Sequence, residues 1–569
     1  MPPLSQADHE NSISSASENS RIDNLHTEGS HDTPSNDPIT PSKPHKALLR
    51  GFITLSEAED EEDDMRARLQ YVEKRGEFYT EMKNKEEDIR SIVASHCGLA
   101  SADLVHVPDM FDEKRILWIH GSFNVCIPVS IKQPGRSLPA RMAFRVPLPY
   151  KVGEEFYPGN CEEKLRSEAA TYIWIGENCP DVPIPTLRGF GVPGGLSFFQ
   201  SKFVTPWQRI KAYVWRLFHR LYGRTIPCDY IPQMRTTFLD YGYTLVDWIE
   251  SEDEQMLSNI FNQPHTEAQT QNLYRDMARI IVSLAKVPQP RIGSWTISND
   301  GQLSLSNRPL FCHLQRLENW NIPSGIARDT TYTSADTLHL DLLAGHDNRL
   351  RYQGNAVFSE DDARRQAVDL VLMRASLSQF TDRSLRDGPF VMHLTDMHSS
   401  NIFVDQDWNI KHIIDLEWAC SLPLEHLLVP YWLTGKGVDQ LTGPEYERFE
   451  NCYRQFTNAI RQEEINAPLY YEGTIYSLAA TMDRALEQRH YWYLSALKSP
   501  KGLFNLFRDQ LQSLYEEPPP KVSLCAAVSP FWTPGMSSFV SSKLKDFAQY
   551  IQEVRDIFNS DKSGKVYIR

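Results

Sequence analysis

Hydrophobic periodicity divides the chain into a strand-rich first part and a helical second part. Residues 115–149 contain two runs of β-branched and aromatic residues around a turn-like KQPGRS segment, which predicts two strands. Residues 162–177 return to helical spacing, and the segments 197–204 and 235–241 again have strand-like patterns. We therefore expect a small sheet with one inserted helix in this part of the chain.

In the second part, the large apolar residues recur mainly at helical spacing. Residues 270–287 place such side chains on one face of a helix, and residues 361–380 and 440–516 are also predicted to be helical. The pattern predicts an α+β fold with two lobes. A small, mainly antiparallel β-sheet lobe would span residues 47–242, and a larger, mostly helical lobe would span residues 243–516.

The two ends of the chain differ from the body in composition. Residues 1–46 are polar and acidic and contain few large apolar side chains, so burial cannot offset the entropy of ordering them. They are predicted to be a disordered tail. Ser56 and Glu59 have the spacing of a capping box, so the first helix is expected to begin there. Residues 517–569 are predicted to be a Pro-rich linker and an amphipathic helix that packs against the body.

Negative charge is concentrated near the start of the chain. The net charge is −15, but residues 1–64 alone contain 14 acidic and 4 basic residues. The remainder is nearly neutral, which argues against a nucleic-acid partner. The nine cysteines form no C-x-x-C pair, and the chain has neither a signal-like apolar start nor an apolar run of ~18 residues. We expect a cytoplasmic protein with no transmembrane segment.

One polar segment carries the candidate chemistry. HLTDMHSSNIFVDQDWNIKHIIDLEW, residues 393–418, contains Asp396, Asn401 and Asp415, with two short strand-like runs between the last two. A hairpin there would return Asp415 to the side of Asn401. Phosphoryl transfer needs a carboxylate near the attacking hydroxyl and oxygen ligands for Mg²⁺. The D-x-x-x-x-N spacing also matches the protein-kinase catalytic loop. We predict Asp396 as the catalytic base, and Asn401 and Asp415 as metal ligands.

This segment resembles the motif of the aminoglycoside phosphotransferase family, most closely a fungal group within it. GSFNVCIPV and RIGSW…NRPL resemble the same group, so the likeness covers about residues 50–516. The resemblance implies a bilobal protein-kinase-like fold, ATP and Mg²⁺ as cofactors, and transfer of the γ-phosphate to a hydroxyl of a small molecule, as in choline kinases. One departure is Leu394, which stands where the family has His, while His393 is displaced by one position.

The same resemblance implies further contacts to the nucleotide. They comprise a turn between the first strands, a cation on the third strand with its acidic partner on the following helix, and the end of a later strand. The cation is an arginine here, which brings a planar fork where kinases mostly use a lysine. These expected nucleotide-binding residues are Gly121, Ser122, Phe123, Asn124, Arg145, Glu168, Asp240 and Tyr241.

Histidines near the motif leave other interpretations open. His398 is a candidate catalytic residue that would contact the moving phosphoryl group, although a hydrogen-bonded loop histidine is the simpler interpretation. A metal-dependent hydrolase would combine His393 and His398 with the two aspartates, because imidazole is a common ligand of transition metals.

A kinase-like pseudoenzyme, acting as a binding or scaffold module, is favoured by Arg145 and Leu394.

A basic amphipathic segment interrupts the strand-rich part. Residues 206–230 are predicted to be a helical insertion, in which one face collects the large apolar side chains. Packing of this face against its own lobe is the expected arrangement, and binding to an anionic membrane surface is the alternative. The residues of the apolar face are Trp207, Ile210, Val214, Leu217 and Leu221.

Overall fold

A computed structural model of the chain covers most of the predicted body. The predicted tail lies outside the described residues, apart from His45 and Lys46, which begin a short strand. The triple proline of the predicted linker also lies outside them. The described residues are 45–112, 115–132, 138–249, 253–499, 503–515 and 522–560.

The first part contains most of the strands. They are β1 His45–Ala47, β2 Phe52–Thr54, β3 Val105–His106, β4 Phe111–Asp112, β5 Arg115–Ile116, β6 Ile119–His120, β7 Asn124–Ile131, β8 Arg141–Pro147, β9 Leu187–Gly191, β10 Leu196–Gln200, β11 Tyr230–Met234 and β12 Tyr243–Asp247. The helices are α1 Leu55–Asp60, α2 Met65–Asn84, α3 Glu86–His96, α4 Pro149–Val152, α5 Asn160–Asn178 and α6 Pro206–Leu221.

Eight of these strands form one antiparallel sheet in the order β11-β10-β9-β12-β8-β7-β3, with β6 also paired to β7. The exposure of β7 alternates along its length, as expected for a strand with one face in the core. Helix α5, as predicted over residues 162–177, lies between β8 and β9 in the chain, and most of its side chains are buried.

One predicted strand is wrong, and the observed strand shifts the boundary predicted between the two lobes. Residues 235–241 form a loop, and the chain enters the sheet only at Tyr243. Gly242 makes this entry possible: its φ is +72°, and a Cβ there would lie 2.5 Å from the carbonyl oxygen of Gly191. Because β12 pairs with β8 and β9, the sheet lobe extends past the predicted boundary at residue 242.

The second part is mostly helical. Its helices are α7 Glu267–Ala285, α8 Cys312–Asn319, α9 Ala335–Tyr352, α10 Glu360–Ser376, α11 Pro444–Asn466, α12 Leu478–Glu487, α13 His490–Lys498, α14 Leu503–Gln510, α15 Val522–Val528 and α16 Met536–Asn559. Its strands form short pairs or a three-stranded sheet: β13 Gln255–Met256, β14 Ser294–Ile297, β15 Leu303–Asn307, β16 Phe390–Leu394, β17 Ile402–Val404, β18 Ile410–Ile413, β19 Ala419–Pro423, β20 Leu469–Tyr471 and β21 Thr474–Tyr476. The described residues confirm the predicted α+β fold, with a sheet-rich first lobe and a larger helical lobe.

The C-terminal helix packs against the body, as predicted. Tyr550, Val554 and Phe558 of α16 form a buried cluster with residues of α1 and α2. The backbone N–H of Met65 donates a hydrogen bond to the Tyr550 hydroxyl at 3.0 Å. The last helix is therefore attached to the first helices of the described chain.

The predicted insertion behaves differently from expectation. Helix α6 is present, but it ends at Leu221, and residues 230–234 form the edge strand β11. Its apolar face is exposed instead of packed against its own lobe. Within the described residues, no helix combines the length and the apolar character that crossing a membrane requires.

Candidate active site

The hairpin predicted from the motif is present and brings its two ends together. Strands β17 and β18 are antiparallel, with Ile402 paired to Ile413. The backbone N–H of Ile414 donates to the carbonyl of Asn401 at 2.9 Å, so Asp415 follows directly beside Asn401. Asp415 has φ +60° and ψ +65°, a left-handed conformation that non-glycine residues seldom adopt. Such strain is commonly stored at functional sites.

Asp396 lies close to this hairpin in a partly closed environment. The Nδ2 of Asn401 donates to the Asp396 backbone carbonyl at 2.9 Å, and the Asp396 side chain is 24% exposed. Burial, and to a smaller extent the charges of Asp415 and Glu417, raise the pKa of Asp396 to about 8. The carboxylates of Asp396 and Asp415 oppose each other's ionisation. Together with the side-chain oxygen of Asn401, they form a set of hard oxygen ligands of the kind that Mg²⁺ prefers.

Arg145 and Glu168 meet as predicted. The Nη1 of Arg145, on β8, donates to Glu168 Oε1 on α5 at 2.5 Å, and both side chains are buried. The other guanidinium nitrogen, Nη2, contacts the carboxylate of Asp415 and lies 3.5 Å from Glu417 Oε2. Arg145 therefore links the sheet lobe to the end of the hairpin.

A second buried cation, Lys164, was not predicted. It lies one turn before Glu168 on α5 and is fully buried, with its Nζ 2.6 Å from Glu417 Oε2. It also donates to Asn124 Oδ1 at 2.7 Å, and Asn124 Nδ2 donates to Glu417 at 2.5 Å. Burial opposes ionisation of Glu417, but Lys164 and Arg145 outweigh it and lower the pKa of Glu417. The sequence signal that could have identified Lys164 is its spacing of four residues, about one helical turn, from Glu168.

The predicted turn over the nucleotide contacts the helical lobe directly. The Gly121 N–H donates to the Asn124 carbonyl at 2.8 Å, and a Cβ at Gly121 would approach that oxygen to 3.0 Å. Ser122 is exposed, whereas Phe123 is buried and packs edge-on against Trp418 with ring centres 4.8 Å apart. The turn therefore lies over the LEW segment that follows Asp415.

Asp240 and Tyr241 do not lie at the end of a sheet strand. They lie in the loop before β12, where Asp240 is exposed and the Tyr241 ring lies 5.8 Å from that of Phe78. Since the strand here runs from Tyr243 to Asp247, the chain leaves the sheet after Asp247. Residues 247–249 line a cavity of about 190 Å³, which none of the predicted site residues lines.

The two motif histidines lie in different surroundings. His398 Nδ1 is 2.5 Å from the Ser400 hydroxyl, and its Nε2 is 3.6 Å from Asp396 Oδ1. His393 is buried in β16, and burial next to Lys498 lowers its pKa to about 3. The charged group that acts on His393 is Lys498, whereas His398 is the motif histidine that lies beside Asp396.

The remaining neighbours of Asp396 come from the helical lobe. Arg316 on α8 has an electrostatic effect on Asp396 and lowers its pKa, after burial and the two acidic neighbours have raised it. Tyr431 is also close enough for Asp396 to raise its pKa, which burial raises first, to about 12. The indole N–H of Trp432 donates to the Met397 carbonyl at 2.9 Å. All three side chains belong to the helical lobe.

The sequence matches no protein-family model and no curated protein. Several solved structures are similar to this chain, and three of them have the following identities, coverages and TM-scores. A Ralstonia eutropha JMP134 protein provisionally named an aminoglycoside phosphotransferase is 7% identical, with 79% of this chain and 95% of that chain covered and a TM-score of 0.33. A type I macrolide 2′-phosphotransferase is 11% identical, with coverages of 74% and 90% and a TM-score of 0.30. A Plasmodium vivax ethanolamine kinase is 11% identical, with coverages of 78% and 85% and a TM-score of 0.32.

The order of parts in the chain is that of a protein-kinase-like fold. An antiparallel sheet contains a strand cation, Arg145, which pairs with Glu168 on the helix that follows. A mostly helical lobe then supplies a loop aspartate and a hairpin that ends in a second aspartate, Asp396 and Asp415.

Proposed function

We propose that this chain is an ATP-dependent phosphotransferase that moves the γ-phosphate of ATP to a hydroxyl group of a small molecule. The observation that carries the proposal is the β17–β18 hairpin, which places Asn401 next to Asp415 and both beside Asp396. Phosphoryl transfer depends mainly on positioning and electrostatic stabilisation, and this group of oxygens can supply both.

In this proposal, Asp396 orients the acceptor hydroxyl and accepts its proton. The carboxylate of Asp415 and the side-chain oxygen of Asn401 would hold Mg²⁺, because the Asn401 amide nitrogen is already engaged by the Asp396 carbonyl. When bound, the ion would neutralise charge on the nucleotide phosphates. The acceptor would enter between Arg316 and Tyr431, the neighbours of Asp396 in the helical lobe.

Arg145 is proposed to hold the phosphates, with Glu168 keeping it in position. In the structure, Arg145 contacts Asp415, so one guanidinium nitrogen would have to leave that carboxylate when metal and nucleotide bind. Glu168 on α5 would stay paired with the other guanidinium nitrogen, Nη1, and so hold Arg145 in position. We propose that Gly121–Asn124 covers the nucleotide after the Phe123–Trp418 contact opens.

Two substitutions separate metal binding from proton transfer. Asp415→Ala is expected to abolish Mg·ATP binding in calorimetry, whereas Asp396→Asn should keep that binding and lower ATP turnover by about 10²–10⁴-fold. Turnover is measured with purified full-length protein, first as hydrolysis and then against a metabolite extract. Asp407→Asn is the matched control, because Asp407 is an exposed aspartate of the same hairpin. Normal Mg·ATP binding by Asp415→Ala would contradict the metal assignment.

One observation favours a second function, that of a kinase-like binding module without catalysis. The contacts of Arg145 with Asp415 and of Lys164 with Glu417 pair both carboxylates with cations of the chain itself. A module of this kind would show no turnover in either the wild type or Asp396→Asn. Turnover that is lost in Asp396→Asn and retained in Asp407→Asn would exclude it.

A further inference from the structure

Helix α6 exposes its apolar face to solvent. The five residues predicted to share this face, spaced alternately by three and four positions, are between 43% and 75% exposed. His219 is the one residue of the sixteen-residue helix that is buried. An amphipathic helix ordinarily turns such a face to the core, so this arrangement requires an explanation.

The opposite face of α6 attaches it to the body. Gln208, Ala212, Arg216 and His219 recur on that face, and each of them is buried or partly buried. Arg216 Nε donates to the Pro227 carbonyl at 2.8 Å, and its Nη1 pairs with Asp229 at 3.1 Å. The helix is thus held by its polar side, and the apolar stripe points away from the protein.

The helix is well formed at its start without help from a partner. Thr205 and Gln208 make a capping box, and Pro206 occupies the first turn, where its missing N–H costs nothing. A sixteen-residue helix gives a stripe roughly 24 Å long. A partner would therefore bind a preformed surface and would not have to pay for ordering it.

The charge around the stripe is strongly positive. Residues 201–228 contain six Lys or Arg residues and no Asp or Glu, although the whole chain has a net charge of −15. Lys211 flanks one side of the stripe, while Arg209 and Arg220 flank the other, and all three are exposed. Trp207, Tyr213 and Trp215 add exposed aromatic rings of the kind that favour a membrane–water interface.

We propose that α6 is a membrane-binding helix that lies in the surface of an anionic bilayer, with its apolar stripe in the acyl region and its basic flanks at lipid phosphates. A long apolar stripe between basic borders is the pattern of helices that bind in the interface plane. A second copy of the chain fits poorly, because two such faces would bring like charges together. Nucleic acid would leave the aliphatic stripe of Ile210, Val214, Leu217 and Leu221 exposed.

The test is co-sedimentation of the full-length protein with vesicles. Phosphatidylcholine vesicles with about 30% phosphatidylserine are expected to bind the protein, and pure phosphatidylcholine vesicles should bind it far less. Val214→Asp/Leu217→Asp should lose binding, and Lys211→Gln/Arg220→Gln should weaken it by about tenfold or more. Ile465→Asp/Phe531→Asp, at two exposed apolar residues outside α6, is the matched control and should bind normally.

Each other outcome would overturn the proposal. These are equal binding to both vesicle types, no binding to either, or binding that survives the α6 substitutions. Light scattering that shows a dimer abolished by Val214→Asp/Leu217→Asp would identify a second copy as the occupant. Tight binding of a labelled oligonucleotide, lost in Lys211→Gln/Arg220→Gln without any vesicle binding, would identify nucleic acid. None of these measurements depends on the chain having phosphotransferase activity.

Discussion

At the scale of single residues, the environment of Asp396 determines when it can act as a base. Burial and the neighbours Asp415 and Glu417 raise its pKa to about 8, so most of the free protein carries it protonated at neutral pH. Because a base must be ionised, kcat/KM is expected to rise about tenfold per pH unit up to about pH 8 and then level off. ATP turnover measured between about pH 6 and 9 checks this.

Arg316 provides a second test of this pH profile. Its charge lowers the pKa of Asp396, so Arg316→Gln should move the profile to higher pH. Arg454→Gln, at an exposed arginine on α11, should leave the profile in place. A wild-type profile that is already level at pH 6 would show that Asp396 ionises as an ordinary carboxylate.

The same pKa shift can be detected without any enzyme assay. The pKa of Asp396 in the folded state, about 8, lies above its unfolded value of ~3.9, so the folded state binds the proton more tightly. The contribution of Asp396 to stability is then present below about pH 4 and is lost as the pH rises toward 8. The Tm of Asp396→Asn should therefore increase relative to the wild type over that interval.

At the scale of elements, local pattern predicted those parts whose cause is local. The hairpin that joins Asn401 to Asp415 was predictable because its strands and turn are contiguous in the sequence. Periodicity alone could not orient α6, since an apolar stripe has the same spacing whether it faces the core or solvent. The first helix starts from a capping box of Thr54 with Glu57, two residues before the predicted Ser56, because both pairs have the required spacing.

The attachment of α16 gives an element-scale prediction. Val554 is fully buried against α1 and α2, so Val554→Ala removes two buried methyl groups and leaves a cavity. The expected loss is about 2 kcal/mol of unfolding free energy, measured by urea denaturation. Leu544→Ala on the same helix is the control and should cost less than about 0.5 kcal/mol, because Leu544 is exposed. Equal effects would mean that α16 is not anchored through this face.

At the scale of the whole molecule, the site is assembled from both lobes, and this limits what its sequence could reveal. Lys164 and Glu417 are far apart in the chain, and no local spacing indicates that they form a buried ion pair. Glu168 was predictable as a partner of Arg145 only because the resemblance supplied the three-dimensional relation. Asp240 was misplaced because the strand was predicted at residues 235–241, whereas it begins at Tyr243. The position of this strand is set by its pairing across the lobe, which the local sequence does not show.

Arg308 joins the two lobes through a buried charge cluster, which supplies the last prediction. Its guanidinium donates two bonds to Glu163 on α5, at 2.9 and 2.8 Å, and two to Glu318 on α8, at 2.6 and 3.0 Å. Arg308→Met would leave Glu318 buried without a counter-ion and Glu163 with only the half-exposed Arg328, 3.3 Å away, and should cost about 3–5 kcal/mol. Adding Glu163→Gln and Glu318→Gln should recover part of this loss, because the uncompensated charges are then gone. If denaturation shows no recovery, the arginine stabilises the lobe contact by packing and not by charge.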